Sequence, residues 1–327
     1  MPKRDIIVVG ASAGGVRTLQ QLAGLLPANL PASVFVVQHL SAESPGYLAD
    51  MVTRAGPLPA SFPEDGTRIA RGQIYIAPPD RHMLIQDGTM RVVRGPKENL
   101  HRPAIDPLFR SAAWSYGPRV TGVILTGTRD DGASGLWAVK SSGGLTVVQN
   151  PEEALHPEMP RNAMALLDVD YCLTLEEIGA LLPRLAEQVI EQPAATQPDN
   201  IGLETEFAMG ERDFPDMKKL GVPSGYSCPT CGGSLWEIKD GEFVRFRCHV
   251  GHAFQAPALI TEKSCAIEES LEAAMQALQE KAALASRMAT RSAEFPFKHQ
   301  TERYAERARA AQGAADDIRN LLVSLRD

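Results

Sequence analysis

The sequence lacks any long apolar run. No uninterrupted apolar stretch in its 327 residues approaches the roughly 20 that a membrane-spanning helix needs. The apolar run in the N-terminal MPKRDIIVVG ends after about four positions, which is too short for the core of a signal peptide. These absences argue against a membrane-embedded or secreted protein, and we expect the protein in the cytoplasm without direct membrane insertion.

The sequence also lacks an excess of basic residues. Lys and Arg total 33 against 40 Asp and Glu, which gives a formal net charge of −7. An acidic chain has no overall attraction to nucleic acid, so we expect no nucleic-acid partner. The chain is longer than the roughly 250–300 residues at which a single core stops growing, so we expect at least two structural units.

Cysteine is scarce, with five residues in the whole chain. An odd count that includes a CxxC pair, in a chain expected in the cytoplasm, favours a metal site over a disulfide framework. Two of the five, Cys172 and Cys265, belong to no such pattern, and we expect them to be buried and inert.

The other three cysteines form a pattern with a histidine. Cys228 and Cys231 make the CxxC pair, and Cys248 and His252 follow as CxxxH after sixteen intervening residues. Four ligands at this spacing predict a tetrahedral structural Zn²⁺ site in a small ribbon. His249 is a rival fourth ligand, but its adjacency to Cys248 makes joint coordination awkward. A segment of this size has little core, so it would need the metal to hold its shape.

Short β-branched runs alternate with helical patterns from residue 5 to about 190. The runs are DIIVVG, SVFVVQHL, QIYIAPP, MLIQ, MRVVRG, RVTGVILTG and LTVVQN. Apolar runs separated by helices predict parallel strands that are covered on both faces. The predicted fold class is therefore α/β over residues 1–190, with a doubly wound, mostly parallel sheet and helices on both faces.

The remaining third of the chain has a different character. Residues 191–222 are rich in Pro, Gly and charge without sustained periodicity, which predicts a linker. The zinc ribbon spans 223–256. Residues 257–327 carry two apolar stripes around a Pro-containing turn, which predicts an antiparallel helical hairpin. The stripes comprise Ile260, Ile267, Leu271, Met275 and Leu278, then Tyr304, Ala308, Ala311, Ala315, Ile318, Leu322 and Leu325. Their mutual burial is the simpler interpretation, and docking of a partner protein is the alternative.

A GxSxG match follows the first predicted strand. Ser12 lies between Gly10 and Gly14, immediately before a helical pattern. This is the context of a nucleophile elbow, in which glycines permit a sharp turn and the amides at the helix start can face an oxyanion. A dinucleotide loop is less favoured because Ser12 and Val16 replace expected glycines, and a receiver domain would need acidic residues here. A purely structural turn stays open on this motif alone.

A serine nucleophile needs a histidine base and a carboxylate to orient it. His39 ends the next predicted parallel strand, so its side chain and that of Ser12 would project from the same sheet edge. We expect the other histidines of this domain to lie in loops without such placement; they are His82, His101 and His156. Asp130 and Asp131 follow a third strand, where one can cap a helix while the other faces the site.

Six segments together resemble the catalytic domain of CheB-type chemotaxis protein-glutamate methylesterases. They are VVGASAGG, VVQHL, YIAPPDRHMLI, HRPAIDPLF, VILTGTRDDGASG and QNPEEALHPEMPRNAM, in that order. The resemblance implies Ser12 as nucleophile, His39 as base and Asp131 as the residue that orients it. It also implies backbone amides of Ala13 and Gly14 as the oxyanion site.

The chain departs from the family pattern in two places. Ala13 stands where the family commonly has Thr, and Thr128-Arg129-Asp130 stands where it has Met-Gly-Asn. Family members with a receiver domain carry it before the esterase, whereas the catalytic pattern here starts at residue 5. We therefore expect that control of the activity comes from elsewhere or is missing.

The resemblance implies an enzyme that hydrolyses glutamate γ-methyl esters on the cytoplasmic bundle of a chemoreceptor and releases methanol. Glutamine deamidation is a related activity, and no cofactor is expected for catalysis. Two segments supply candidate walls for a helical substrate, although loop ordering explains them as well; the residues are Arg102, Asp106, Met159 and Arg161. The alternative function is a non-catalytic signalling adaptor that uses the α/β domain and the helical hairpin for docking.

Overall fold

The computed structural model describes residues 1–190, 199–209, 217–240, 243–294 and 298–326. The chain divides into two compact units, Met1–Ala258 and Leu259–Asp327. The first unit contains the predicted α/β domain and the predicted ribbon together, and the second contains most of the predicted hairpin.

A seven-stranded sheet in which every pair of neighbours is parallel organises the first unit. Its spatial order is β3-β4-β2-β1-β7-β8-β9, so the chain adds strands on one side of β1 first and then, from β7, on the other side. Such a reversal leaves a crevice at the carboxyl ends of the two central strands. The strands are β1 (Ile6–Ala11), β2 (Ser33–Gln38), β3 (Ala60–Ser61), β4 (Gln73–Ile76), β7 (Val120–Ile124), β8 (Leu145–Gln149) and β9 (Tyr171–Leu173).

Helices cover both faces of this sheet. Three of them, α1 (Gly15–Leu25), α2 (Leu48–Ala55) and α6 (Leu175–Glu187), contribute to one apolar core. The other three, α3 (Ile105–Tyr116), α4 (Ala133–Ser141) and α5 (Glu158–Leu166), contribute to a second core. A short 3₁₀ turn at Gly117–Arg119 leads from α3 into β7.

The alternation of side chains along β1 explains why its sequence is apolar throughout. Ile7 and Val9 enter the first core, whereas Ile6 and Val8 enter the second. Successive residues of a strand point to opposite faces, and both faces are covered here. The predicted doubly wound, mostly parallel sheet is confirmed.

Two of the predicted parallel strands pair elsewhere. β5 (His82–Gln86) and β6 (Thr89–Val93) form a separate antiparallel hairpin. Asp87 and Gly88 join them with φ angles of 48° and 82°. Asp-Gly with positive φ at both positions is a preferred two-residue hairpin turn, so this local signal outweighed the alternating strand and helix pattern.

The predicted linker contains ordered elements. α7 (Asp199–Met209) and α8 (Met217–Leu220) lie within residues 191–222, and Phe207 and Met217 are buried there. The rest of that prediction, residues 191–198 and 210–216, lies outside the described residues. Phe207 and Met217 pack with Trp236 in a small apolar cluster, so the segment supplies core to the ribbon beside it.

The ribbon is a four-stranded antiparallel sheet. Its strands follow in chain order, β10 (Val222–Ser227), β11 (Ser234–Asp240), β12 (Phe243–Cys248) and β13 (Ala253–Gln255). Its apolar cluster is small compared with the two cores of the α/β sheet. Side-chain ligation or charge pairing must therefore supplement apolar burial in this part of the chain.

Two long helices account for the C-terminal part, α9 (Ala256–Ala293) and α10 (Lys298–Arg326). The Thr301 hydroxyl donates to the Ser292 hydroxyl, which joins their adjacent ends. The second predicted stripe is buried or half-buried except at Leu325, whereas Ile260 and Ile267 of the first are exposed. Among the helices of the described residues, none is both long and apolar enough to cross a membrane.

Candidate active site and metal centre

The carboxyl ends of three parallel strands bring Ser12, His39 and Asp131 together. Ser12 follows β1, His39 follows β2, and Asp131 lies between β7 and α4. Ser12 Oγ is 2.9 Å from His39 Nδ1, and His39 Nε2 is 2.7 Å from Asp131 Oδ2. An imidazole that donates from Nε2 to a carboxylate leaves Nδ1 able to accept a hydroxyl proton. The three side chains form one hydrogen-bonded relay.

A tight turn presents Ser12. Its N–H donates to the Thr126 carbonyl at 3.0 Å, and its own carbonyl accepts the Gly15 N–H at 2.8 Å. Gly14 has a φ of 78°, in the left-handed region that favours glycine. A Cβ at Gly127 would lie 2.8 Å from Ser12 Cβ, so this neighbouring loop approaches the serine closely because it has no side chain.

The backbone amides of Ala13 and Gly14 meet the basic requirement for oxyanion donors. Both residues are partly exposed. Within the described part of the chain, neither N–H has a protein acceptor. α1 begins at the next residue, so the amides lie at the positive end of a helix. Unused donors at a helix start are suited to stabilising a negative oxygen.

Asp131 is buried among hydrogen-bond donors. Besides the His39 contact, its Oδ2 accepts the Ile105 N–H at 2.7 Å, and its Oδ1 accepts the Asn99 side-chain amide at 2.8 Å. Burial by itself would raise the pKa of Asp131, but the hydrogen bond and charge of His39 hold it well below its usual range. The carboxylate therefore stays ionised and can orient the imidazole.

Asp106 lies directly behind Asp131. One carboxylate oxygen accepts the N–H groups of Gly132 and Gly135 at 3.0 and 2.6 Å. The other accepts the Asn99 amide at 2.8 Å. Burial, followed by the charge of Asp131, raises the pKa of Asp106 to about 7. Asp106 thus supports the loop that carries Asp131.

Asp130 occupies a different position from its neighbour. It is 4% exposed, and burial followed by the charge of Asp131 raises its pKa to about 6. The Asp130 carbonyl accepts the Ala133 N–H at 3.3 Å near the start of α4. The structure therefore places Asp131, and not Asp130, against His39.

His101 is part of the site, although sequence reasoning set it aside as a loop histidine. Its ring stacks on that of His39 with centroids 3.6 Å apart and an interplanar angle of 11°. Burial, followed by the charge of His39, lowers the pKa of His101 to about 4. This second imidazole is therefore neutral at pH 7. The family-like segment HRPAIDPLF, which begins at His101, was the available sequence signal. Asn99 and Asp106, which flank His101 in the chain, also contact Asp131.

Two further polar residues were missed. Gln38 donates from Nε2 to the carbonyls of Ser12 and His39 at 2.8 and 3.1 Å. Thr126 donates its hydroxyl to the Ala13 carbonyl at 3.0 Å. Each bond fixes a backbone segment that carries a site residue. By contrast, His82 is fully buried and only supports loops, with Nε2 2.8 Å from the Pro96 carbonyl.

The four candidate substrate residues occupy different environments. Asp106 and Met159 are each 1% exposed, which differs from the expectation that they line an open surface. Arg102 binds the Asp80 carboxylate with its Nε and Nη2 at 2.8 and 2.5 Å, and so orders a loop. Arg161 alone among the four is exposed. Asp106 lies in the first turn of α3, and Met159 and Arg161 lie in the first turn of α5. Segments this short carry too little periodicity to show which side chains are buried.

The predicted metal ligands converge in the ribbon. The ligand atoms of Cys228, Cys231, Cys248 and His252 all lie within 4.8 Å of one another. Cys231 Sγ is 3.7 Å from Cys248 Sγ, and His252 Nδ1 is 3.5 Å from Cys248 Sγ and 3.8 Å from Cys228 Sγ. A tetrahedral Zn²⁺ with ordinary bond lengths would separate two sulfurs by about 3.8 Å and a sulfur from a nitrogen by about 3.6 Å. These four side chains fit a zinc ion, and His249 is outside the group.

The remaining cysteines differ from expectation. Cys172 and Cys265 are exposed instead of buried. Cys172 lies on β9, the edge strand of the parallel sheet, and Cys265 lies on α9. Small apolar residues are tolerated singly on surfaces, so neither position implies a site.

Comparisons with known proteins agree on one family. A sequence profile described as CheB methylesterase matches residues 7–182, which is more than half of the chain. The crystal structure of the Thermotoga maritima CheB methylesterase catalytic domain has a TM-score of 0.54 and 33% sequence identity, and the match covers 57% of this chain and 99% of that one.

Similar proteins carry a double name. A Leptospira interrogans protein, provisionally named protein-glutamate methylesterase/protein-glutamine glutaminase, is 39% identical over 58% of this chain and 98% of its own length. Proteins of that name from Anaeromyxobacter dehalogenans and Chromohalobacter salexigens are 36% and 38% identical, and the chain spans about half of their lengths, 53% and 54%. The matched region contains the Ser12, His39 and Asp131 relay, and the chain belongs to the CheB methylesterase family.

Proposed function

We propose that this chain is a serine esterase that hydrolyses glutamate γ-methyl esters on a methylated chemoreceptor or a receptor-like signalling protein. The observation that carries the proposal is the continuous relay of 2.9 and 2.7 Å contacts from Ser12 through His39 to Asp131. The relay is located where an open α/β sheet binds its ligands. Membership of the CheB methylesterase family supports this substrate class.

The first half of the reaction forms an acyl-enzyme. Ser12 Oγ attacks the ester carbonyl while His39 Nδ1 accepts the hydroxyl proton. The amides of Ala13 and Gly14 stabilise the oxyanion, and one such donor typically contributes about 3–4 kcal/mol. The tetrahedral intermediate then collapses, the C–O bond to the methoxy group breaks, and His39 returns the proton so that methanol leaves.

The second half restores the enzyme. Water attacks the acyl carbon and loses a proton to His39 Nδ1, and the bond to Ser12 Oγ breaks as that proton passes to the serine. The products are a glutamate carboxyl group and free Ser12. The same steps applied to a glutamine side chain release ammonia, and the names of the relatives include protein-glutamine glutaminase. We therefore include deamidation in the proposal.

The surface beside the serine suits a helical protein substrate. Leu155 is 72% exposed. It lies next to Gly14, because a Cβ added at Gly14 would be only 3.1 Å from Leu155 Cδ2. Arg161 is also exposed, on α5 of the same domain. Arg161 Nη2 lies 3.4 Å from Glu152 Oε1 in an exposed ion pair. The apolar Leu155 beside the serine turn therefore carries the match to a receptor helix with apolar residues.

The ribbon adds a structural role to the proposal. Cys228, Cys231, Cys248 and His252 would hold one Zn²⁺ with all four positions filled by protein, which leaves none for a reacting molecule. We propose that the metal stabilises the ribbon and takes no part in ester hydrolysis. We further propose a cytoplasmic location, in keeping with a cytoplasmic receptor substrate. A partner for the segment of α9 and α10 stays a prediction.

Methanol release from a methylated receptor cytoplasmic fragment tests the activity. We expect Ser12→Ala to lower kcat by about 10⁴-fold or more, because removing a serine nucleophile disables the whole relay. Ser270→Ala is the matched control, since Ser270 is exposed on α9 and bonds only within its helix. Equal rates for the wild type and Ser12→Ala would favour the adaptor function.

Metal analysis tests the ribbon. We expect about one Zn²⁺ per purified chain, and loss of that metal in Cys228→Ser. Cys265→Ser, at an exposed cysteine outside the cluster, should keep the metal. A wild-type chain without stoichiometric metal would contradict the zinc proposal.

A further inference from the structure

The last strand of the ribbon contacts the loop behind the proposed catalytic aspartate. The Ala253 carbonyl accepts the N–H of Asn99 at 2.8 Å, and the N–H of Gln255 donates to Asn99 Oδ1 at 3.2 Å. Asn99 and Gln255 are each 4% exposed. β13 therefore holds both the backbone and the side chain of one loop residue.

The contact with Gln255 determines which way the Asn99 amide faces. Because Asn99 Oδ1 accepts from the ribbon, its Nδ2 faces the opposite way and donates to Asp131 Oδ1 and Asp106 Oδ2, both at 2.8 Å. Asn99 has a φ of 46°, a conformation that asparagine and aspartate adopt more readily than most residues. The residue thus connects the ribbon to the carboxylate that orients His39.

A second link reaches the same aspartate loop directly. Gln255 Nε2 donates to the carbonyl of Asp130 at 2.7 Å. That carbonyl belongs to the peptide group that precedes Asp131, so the bond limits movement of the Asp131 backbone. β13 therefore fixes the loop at its main chain and, through Asn99, at its carboxylate.

Buried ion pairs fasten the ribbon to the loop that carries Asn99 and to α7. Arg247 of β12 donates from Nη2 to Glu98 Oε1 at 2.8 Å, next to Asn99 in the chain. Arg245 of β12 binds Glu204 of α7, and Arg110 of α3 binds Glu98 at 2.6 Å. All five charged residues are at most 6% exposed. Such a cluster makes the placement of β13 specific, because any shift would leave a buried charge without its partner.

We infer that β13 is a positioning element of the esterase site, which acts on Asp131 through Asn99 and Gln255. This inference rests on the proposed function. Asn99 and Gln255 are positioning residues and contact no reacting atom. Because the ribbon comes from sequence outside the region matched by the family profile, the site of this chain depends on a segment that the esterase motif alone does not supply.

The metal cluster is directly connected to this strand. His252 immediately precedes Ala253, and its carbonyl accepts the Cys248 N–H at 2.9 Å. A metal bound to Cys248 and His252 would hold the turn that leads into β13. We therefore expect metal loading to support the esterase rate without contact between the metal and the substrate.

Asn99→Asp in the full-length chain tests the link. The change keeps the shape and the acceptor for Gln255, but replaces the donor that faces Asp131 with an oxygen. We expect kcat for methanol release to fall by about 10–100-fold, as small misplacements of a catalytic group do, with little change in KM. The acidic limb of the kcat profile should move to higher pH, because a carboxylate with one donor fewer and a negative neighbour holds the imidazole proton more tightly.

Gln255→Glu is the second variant. If Asn99→Asp does not fold, as judged by loss of its native circular dichroism, Gln255→Glu tests the inference about β13 instead. It places an oxygen against the Asp130 carbonyl, so we expect a smaller fall in kcat and the same direction of shift in the acidic limb. Gln276→Glu, at an exposed glutamine on α9, should behave as the wild type. A merely structural role would reduce the active fraction without moving the acidic limb.

Two failures are distinguishable. If Ser12→Ala is inactive while both positioning variants keep the wild-type kcat and acidic limb, the inference about β13 is overturned and the proposed function stands. If the wild type releases no more methanol than Ser12→Ala, the proposed function itself fails.

Metal removal gives an independent measurement. We expect chelation of the wild type to lower kcat by at least about 10-fold, and added Zn²⁺ to restore it. A metal-free chain with unchanged kcat, or a loss that Zn²⁺ does not reverse, would contradict the connection between the metal and the site.

Discussion

The first unit contains two pairs of buried carboxylates. One pair is bound by amide and imidazole groups, and the other pair is bound by arginine side chains. Asp106 and Asp131 are 1% and 2% exposed, and their hydrogen-bond partners within the described chain are backbone N–H groups, Asn99 and His39. Glu98 and Glu204 are 1% and 0% exposed and bind arginine side chains.

The pKa directions follow from these partners. Burial tends to raise the pKa of Glu98 and of Glu204, but the neighbouring arginines lower both. At the site, burial and the charge of Asp131 raise the pKa of Asp106 to about 7. A fixed cation would hold Asp131 as firmly, but it cannot release and accept a proton at neutral pH, whereas an imidazole can. The first pair is therefore suited to orient an imidazole that exchanges a proton, whereas the second pair fastens the ribbon.

Asp131→Asn tests the site pair and should give the largest effect. The variant keeps the volume of the side chain but removes the charge that orients and stabilises protonated His39. We expect kcat to fall by about 10⁴-fold, with the native circular dichroism retained. Asp168→Asn, at an exposed aspartate, should keep the wild-type rate. A loss smaller than about tenfold would remove Asp131 from the relay.

Glu204→Gln tests the arginine-bound pair. It leaves the buried guanidinium groups of Arg245 and Arg247 without their full charge partner. We expect the free energy of unfolding of the first unit to fall by about 3–5 kcal/mol, measured by denaturant unfolding. Glu269→Gln, at an exposed position on α9, is the control. Unchanged stability would mean that the ion cluster does not fasten the ribbon.

His101→Gln tests whether the folded protein keeps the His101 ring, which stacks on His39, uncharged. The folded protein lowers the pKa of His101 to about 4, below the ordinary value of about 6.5. Because the unfolded chain then binds more protons between these values, His101 makes the wild type gain stability as pH rises from about 4 to 6.5.

We therefore expect the stability difference between the wild type and His101→Gln to shift in favour of the wild type by about 2–3 kcal/mol across this range, and to be constant above it. Unfolding by denaturant at several pH values measures the difference. A difference independent of pH would show that the stacked ring is not held neutral.

The strand ends of the relay were predictable because parallel strands share a carboxyl edge. Ser12 and His39 end consecutive apolar runs, so their convergence needed only the sheet direction. Choosing Asp131 over Asp130 depended on the family resemblance, since the chain offers both carboxylates at one turn. His101 and Asn99 were not predictable from periodicity, because their loop has none and its shape comes from contacts with β13 and Asp131.

The helix α7 shows the same difficulty in another form. Its sequence, DNIGLETEFAM, carries Glu204 at a position that is fully buried. A buried glutamate looks like a solvent-facing residue until its arginine partners are known, and those lie on α3 and β12. The sequence pattern therefore indicates a linker where the structure has a helix.

The sequence by itself determined the parallel α/β sheet, the positions of the serine, histidine and aspartate loops along it, and the CxxC and CxxxH spacing of the ribbon. Only the tertiary structure decided that the ribbon strand β13 holds Asn99 against Asp131, that His101 stacks on His39, and that three arginines surround Glu98 and Glu204. Periodicity reports which side of an element is buried, because burial repeats with the element's own geometry. It does not identify which distant residue covers that side, because that partner is selected by the packing of the whole unit.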